Sequence, residues 1–310
     1  RVFHSTQHNR NGDYDGTAGD VGADQNTLGS LAMDASYLLR GIDALSRAHA
    51  FDYFADGHRG GAIVSAYYFC REERVDADAT NAIAALIDEH WTHTPLCAPF
   101  AKEAIDTAGR ERIVAHVERS LDHLRQVGHN VILPALALRA FAELPDALTP
   151  ARVDGICKMI DSFTVMDDVD LRVDADVPDL SSPQVLAEFS LCELLACMRR
   201  FDGRGQGWSG HLLTYARALI DLRQLGYNEL ATHAEYAFAL YINRIRMGPL
   251  TTDKVYEEHA VQEQYPHEGT YWHGRRQHSP ALGHLFKYPY GFYGLVRAAQ
   301  DESLMRACWQ

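Results

Sequence analysis

The sequence predicts an all-α protein, an α/α toroid or incomplete α/α barrel of helical hairpins with a histidine-lined central cavity. Three observations carry this. Apolar residues recur at helical spacing along most of the chain, as in Leu31, Met33, Tyr37, Leu38, Ile42 and Leu45. Alternating β-branched runs bounded by turns are missing, so no strand is expected. A Gly-His pair opening an apolar run occurs four times, at Gly57-His58, Gly128-His129, Gly210-His211 and Gly283-His284, with a period of about 75 residues. Repeated helical hairpins either stack as a solenoid or close into a ring.

In order, residues 1–27 are rich in Gly, Asp and Asn without an apolar period, and read as an extended arm; residues 28–310 read as one helical domain. A first helix is expected over 28–50 and a second after Asp56-Gly57-His58. Asp76, Asp78 and Thr80 offer N-cap oxygens for a third, running to about His93. Pro95 and Pro99 break the chain. Residues 110–127 form a charged amphipathic helix that Gly128 would end at C′. An apolar helix covers 129–144, and Thr149-Pro150 starts the next. Residues 164–182 form an acidic, solvated connection. Pro183 opens a helix to Phe201, and two more cover 208–225 and 229–247. Residues 248–282 are irregular, and a last helix runs from Gly283 to about Gln300. The four Gly-His helices are the most apolar and predict an inner ring; the charged helices 110–127 and 229–247 suit an outer one.

Composition excludes several classes. Hydrophobic residues at 46% and charged ones at 23% are the balance of a soluble globular chain. No apolar run reaches the ~18 residues that a membrane span needs. A net charge of −13 argues against nucleic acid as a partner and is compatible with a small, largely neutral substrate. The six cysteines show no CxxC spacing, which predicts free thiols in a reducing, cytoplasmic compartment, and nothing reads as a signal peptide. A homo-oligomer is compatible with the sequence.

The chemistry concentrates on His58, His129, His211 and His284. A histidine at a helix start meets the positive end of the dipole, which disfavours imidazolium and leaves a neutral base or donor near pH 7. Tyr215 and Tyr288 follow the last two histidines by four residues and share their helix faces. These six are the expected catalytic set. Arg59 and Asn130, beside two of the histidines, with Trp208 and with Tyr271, Trp272 and His273 of the long segment, are the expected substrate contacts. No copy places Asp or Glu at His+3 or His+4, HExxH is absent, and neither metal nor cofactor is expected; no GxSxG, GxGxxG or P-loop occurs. The bland alternative is that each histidine only caps its helix, yet four buried imidazoles without partners would be costly.

The period, the apolar inner helices and the Gly-His starts, over roughly residues 29–300, resemble the α/α-toroid enzymes as a class, which includes glycan-processing enzymes, terpene-type cyclases and linalool dehydratase-like proteins. The catalytic cysteine segment of the last is not recognisable. The aspartate motifs of the cyclases are missing in their required form, since Asp167-Asp168-Val169-Asp170 lies in the connector. The histidine-rich helix starts also resemble questin-oxidase-like proteins, without a residue-by-residue motif. The resulting expectation is an enzyme acting on a small organic molecule by His/Tyr acid–base chemistry, as a lyase, dehydratase or isomerase. A metal-dependent or cofactor-independent oxidoreductase and a non-catalytic binding or scaffold protein are the alternatives.

Overall fold

Side-chain caps place the first helices. In the computed structural model, which describes residues 33–170, 176–205, 207–255, 263–275 and 283–309, Asp34 caps α1 (Ala35–Arg47) by accepting the Ser36 amide at 2.8 Å. Asp52 caps α2 (Tyr53–Glu72) through the amides of Phe54 and Ala55. Asp76 caps α3 (Ala77–Ile87), which continues into a π-turn at Asp88–Thr92. Then follow α4 (Gly109–Glu118), α5 (His129–Glu143), α6 (Pro150–Ser162), α7 (Pro183–Arg200), α8 (Gly207–Gln224) and α9 (Asn228–Met247). A short α10 (Gly269–His273) precedes α11 (His284–Ala299) and α12 (Glu302–Trp309). The described residues are otherwise non-repetitive apart from short 3₁₀ turns and two isolated β-bridges, Arg125–Val165 and Arg204–Val255. They are all-helical, and all lie in one compact unit that spans Leu31–Gln310. No helix among them is long and apolar enough to cross a membrane.

The four Gly-His helices are each other's neighbours. α2 packs on α5, α5 on α8, α8 on α11, and α11 back on α2, a closed cycle. The remaining helices cover it: α1 lies on α2, α6 on α1 and α4, α7 on α8 and α11, α9 on α8, α12 on α7 and α10 on α3.

The glycines explain the cycle. A side chain at Gly57 would come within 3.0 Å of Leu133, four residues after His129. One at Gly128 would overlap the ring of Tyr215, four after His211; one at Gly210 would overlap Tyr288, four after His284. One at Gly283 would overlap Ala62, four after His58, and come within 2.9 Å of the His58 carbonyl oxygen. Each glycine is therefore the socket into which the next helix of the cycle inserts the residue one turn past its histidine. At Gly128 (φ 91°) and Gly283 (φ 73°) the backbone is also left-handed, where only glycine is unstrained.

Further along, charged side chains from α2, α5 and α8 meet. Arg217 binds Asp221 at 2.9 Å and Glu72 at 2.9 Å, Arg139 binds Asp221 at 3.2 Å and also Glu72, and the Tyr290 hydroxyl of α11 donates to Asp221. Asp221 and Arg217 are almost fully buried, so their mutual pairing is what makes their burial tolerable.

Several sequence expectations are corrected. α2 begins at Tyr53, so Gly57-His58 sits in its second turn, because Asp52 supplies the cap upstream. The charged helix ends at Glu118, and Gly128 is the N-cap of α5 rather than a C′ glycine. Asp168 of the acidic connection is not merely solvated: it accepts from the buried Arg244 at 2.9 Å. α12 adds a helix after residue 300. The arm over 1–27 lies outside the described residues.

Candidate functional site: a square of imidazoles

The closed cycle brings His58, His129, His211 and His284 together. Successive ring centroids stand 4.2 Å (58 to 129), 4.7 Å (129 to 211), 4.9 Å (211 to 284) and 4.8 Å (284 to 58) apart, with 5.8 Å across the 58–211 diagonal. Neighbouring rings meet edge to face. His58 and His129 are wholly buried and His211 is 5% exposed. α5 and α11 begin at their histidines, so two positive dipole ends meet at this point, while α2 and α8 begin one turn or more upstream.

The ring nitrogens are used unevenly. His129 Nδ1 bonds the Gln126 carbonyl, and His211 Nδ1 bonds the Gly207 carbonyl at 2.6 Å. A carbonyl only accepts, so both rings carry their proton on Nδ1 and leave Nε2 as a bare lone pair. His58 Nδ1 is bonded to the Lys287 amine, 229 residues away in sequence. The Nε2 atoms of His58, His129, His211 and His284 are all buried, and none has a partner among the described residues. Ligand atoms of His58, His129 and His211 lie within 4.8 Å of one another, close enough to share one metal ion. A backbone carbonyl fixing Nδ1–H while Nε2 faces inward is the usual setting of a metal-bound histidine.

Backbone strain supports this aim. Gln126 (φ 38°), Val127 (φ 54°) and Gly128 (φ 91°) are successive left-handed residues, and a β-branched residue there is a true outlier. The turn directs the Gln126 carbonyl onto His129. The Gln126 side chain reaches the Tyr53 hydroxyl at 3.2 Å, and the Val127 amide faces Met166 Sδ at 3.1 Å. Phe54 covers His58 edge-on at 4.6 Å and His129 at 5.2 Å, and Phe163 lies 6.1 Å from His129.

Burial governs the charge. It holds His58, His129 and His211 well below the ordinary histidine range, and His284 at about 3. Burial likewise depresses Lys287, and its repulsion of the imidazoles is secondary to their desolvation. The sign for stability follows. Unfolded histidines protonate below about pH 6.5 while the folded ones stay neutral, so the unfolded state binds more protons as pH falls. Stability of the metal-free protein is expected to drop below that pH, each such histidine adding about 1.4 kcal/mol per pH unit to the slope. Urea midpoints between about pH 7.5 and pH 5 measure this, and a flat profile would show the imidazoles to be solvated.

The other expected site residues divide sharply. Tyr288 belongs to the site: it stacks on His284 at 4.8 Å and meets His211 edge-on at 5.7 Å, with its hydroxyl 3.4 Å from His211 Nδ1. Tyr215 does not, since its hydroxyl donates to the Ala234 carbonyl of α9 at 3.1 Å. Arg59 is paired with Asp56, and Asn130 is buried against Ser120. Trp208 packs on Tyr241 and donates to Asp253. Trp272 is fully buried, stacked on Phe286 at 5.4 Å, with its ring N–H given to Pro266. Tyr271 lies under Arg275, and His273 is exposed and paired with Asp78. These seven are held by structural partners away from the imidazoles. Lys287, Gln126, Phe54 and Phe163 join the site without belonging to a Gly-His pair. Lys287 has a usable signal, a cation three residues past His284 on the same face of an apolar helix.

No protein family, no curated protein and no solved structure matches the chain.

Proposed function

We propose that the protein is a metal-dependent oxidoreductase acting on a small organic molecule, with one transition-metal ion bound by Nε2 of His58, His129, His211 and His284. The observation that supports it is the set of four buried, unpartnered Nε2 atoms, three of them on rings whose Nδ1 is hydrogen-bonded. Unpartnered buried nitrogens are costly, and ligand atoms of His58, His129 and His211 stand close enough to share one ion, with His284 beside them. Imidazole donors suit iron, copper, nickel and zinc. Four protein ligands would close a tetrahedral zinc site, which argues against zinc chemistry. A six-coordinate ion held by four imidazoles keeps two positions for reactants. Four neutral donors leave the ion's charge uncompensated, which favours its reduced state. The resemblance of the helix starts to questin-oxidase-like proteins accords with this class. In the same reading, the cycle α2–α5–α8–α11 is the inner ring of an α/α toroid, with the histidines lining its centre.

A second reading, metal-free acid–base catalysis of the lyase or isomerase type, draws on the buried Lys287 amine against His58, its pKa lowered by burial. Elemental analysis of the purified protein separates the two. About one equivalent of iron or copper per chain is expected. A metal-free protein with full turnover would refute the oxidoreductase assignment.

A further inference from the structure

One face of α2 carries polar side chains from His58 to its C-terminal end. His58, Gly61, Ser65, Tyr68 and Glu72 follow at alternating three- and four-residue steps and so share a stripe. Its neighbours show that the stripe faces the middle of the helix cycle. Gly61 lies against Leu133 and Leu136 of α5 and the Lys287 stem of α11. The Tyr68 ring lies under the Arg139 guanidinium at 3.8 Å and 6.4 Å from the ring of Tyr290. Glu72 closes the stripe in its ion pairs with Arg139 and Arg217.

Two groups on this stripe have nothing to bond. Ser65 Oγ and the Tyr68 hydroxyl are buried, at 0% and 4% residue exposure, and neither has a hydrogen-bond partner among the described residues. At the level of Ser65, seven residues past each of the other histidines, stand Leu136, Ala218 and Gly291, and Gly291 packs against the Leu213 backbone. Buried hydroxyls without a protein partner are ordinarily served by ordered water. We propose that ordered water lies in the middle of the helix cycle between Gly61 and Glu72, held by Ser65 Oγ and the Tyr68 hydroxyl. This file carries water and protons to the imidazoles from the Glu72 end. On the other side, Phe54 covers His58 and His129, and Phe163 lies against His129. The service to the imidazoles rests on the metal reading; the water itself does not.

Two measurements on the full chain test this. In the metal-free protein, Tyr68→Phe removes a hydroxyl and nothing else. If that hydroxyl holds water, Tm falls by about 2–4 °C. If it is dry and unpaired, Tm holds or rises, and the water file is refuted. The second measurement uses protein loaded with cobalt(II) and the double variant Ser65→Ala/Tyr68→Phe. Acid-triggered loss of cobalt, followed by its visible absorption after a jump to about pH 5, requires protons to reach the imidazoles. It is expected to slow about tenfold in the double variant, with unchanged cobalt content at neutral pH. Equal rates overturn the route. Should the unaltered protein bind no cobalt, the metal reading fails by itself, and the Tm result still decides whether the water is present.

Discussion

Replacing His129 by Ala is expected to give a folded protein that retains no metal and loses at least about a hundredfold in turnover. That is the scale on which lost metal support or a lost proton-transfer group acts. The fold should tolerate the change. His129 makes one hydrogen bond, to Gln126, and carries an unpartnered buried nitrogen whose removal offsets part of the lost packing. The strained Gln126–Gly128 turn also loses its purpose. Tyr215→Phe is the contrast. Its hydroxyl bonds only the Ala234 carbonyl, so about 1 kcal/mol of stability is lost and metal content is unchanged. Metal analysis and urea melts of the two variants, run together, check the pair. A His129→Ala protein that keeps its metal would remove His129 from the site.

Alanine at the four socket glycines is expected to give a graded series of destabilisation. Gly283→Ala is the worst case. Its backbone is left-handed at φ 73°, which costs about 1–2 kcal/mol, and the new Cβ meets both Ala62 and the His58 backbone. The total should exceed about 4 kcal/mol and leave little folded protein. Gly128→Ala and Gly210→Ala press on the rings of Tyr215 and Tyr288, which are rigid and held on other sides, and Gly128 adds left-handed strain at φ 91°. Gly57→Ala meets only side-chain ends, Leu133 at 3.0 Å and Met159 Sδ at 3.3 Å, and the roughly 1 kcal/mol helix gain of Ala over Gly offsets much of that. Denaturant midpoints rank the four. Equal losses at all four would mean that the helices do not interlock through these positions.

Much of the architecture is legible from local chemistry. Asp76, Thr149-Pro150 and Pro183 mark helix starts within a residue, since caps and Pro at N1 act on their own turn. The inner group of helices follows from the Gly-His copies. The starting points of α2 and α5 do not, because a glycine reads alike as a C′ residue, an N-cap or an interior socket until its neighbour is known. The four histidines were legible as a set because burying the same polar residue four times requires a common reason. Their partners were not. Lys287 meets His58 across the closure of the cycle, and Val127 carries no sequence signal of left-handed strain. Aromatic and polar residues near the histidines in sequence, such as Trp208, Arg59 and Asn130, enter the expected site by adjacency alone. Their side chains point to Asp253, Asp56 and Ser120 instead.

The closure of the helix cycle also bears on how the molecule assembles. Three of the joints, Gly57 with Leu133, Gly128 with Tyr215 and Gly210 with Tyr288, link consecutive copies. The fourth, Gly283 with Ala62, joins the last copy to the first, as does the pairing of Lys287 with His58. Contacts of such long sequence separation bear the greatest loop-closure entropy, so they arrive late in folding. The square of imidazoles is complete only when that joint shuts. A nascent chain has most of its helices long before the four imidazoles stand together, so their assembly reports that the last copy has docked on the first.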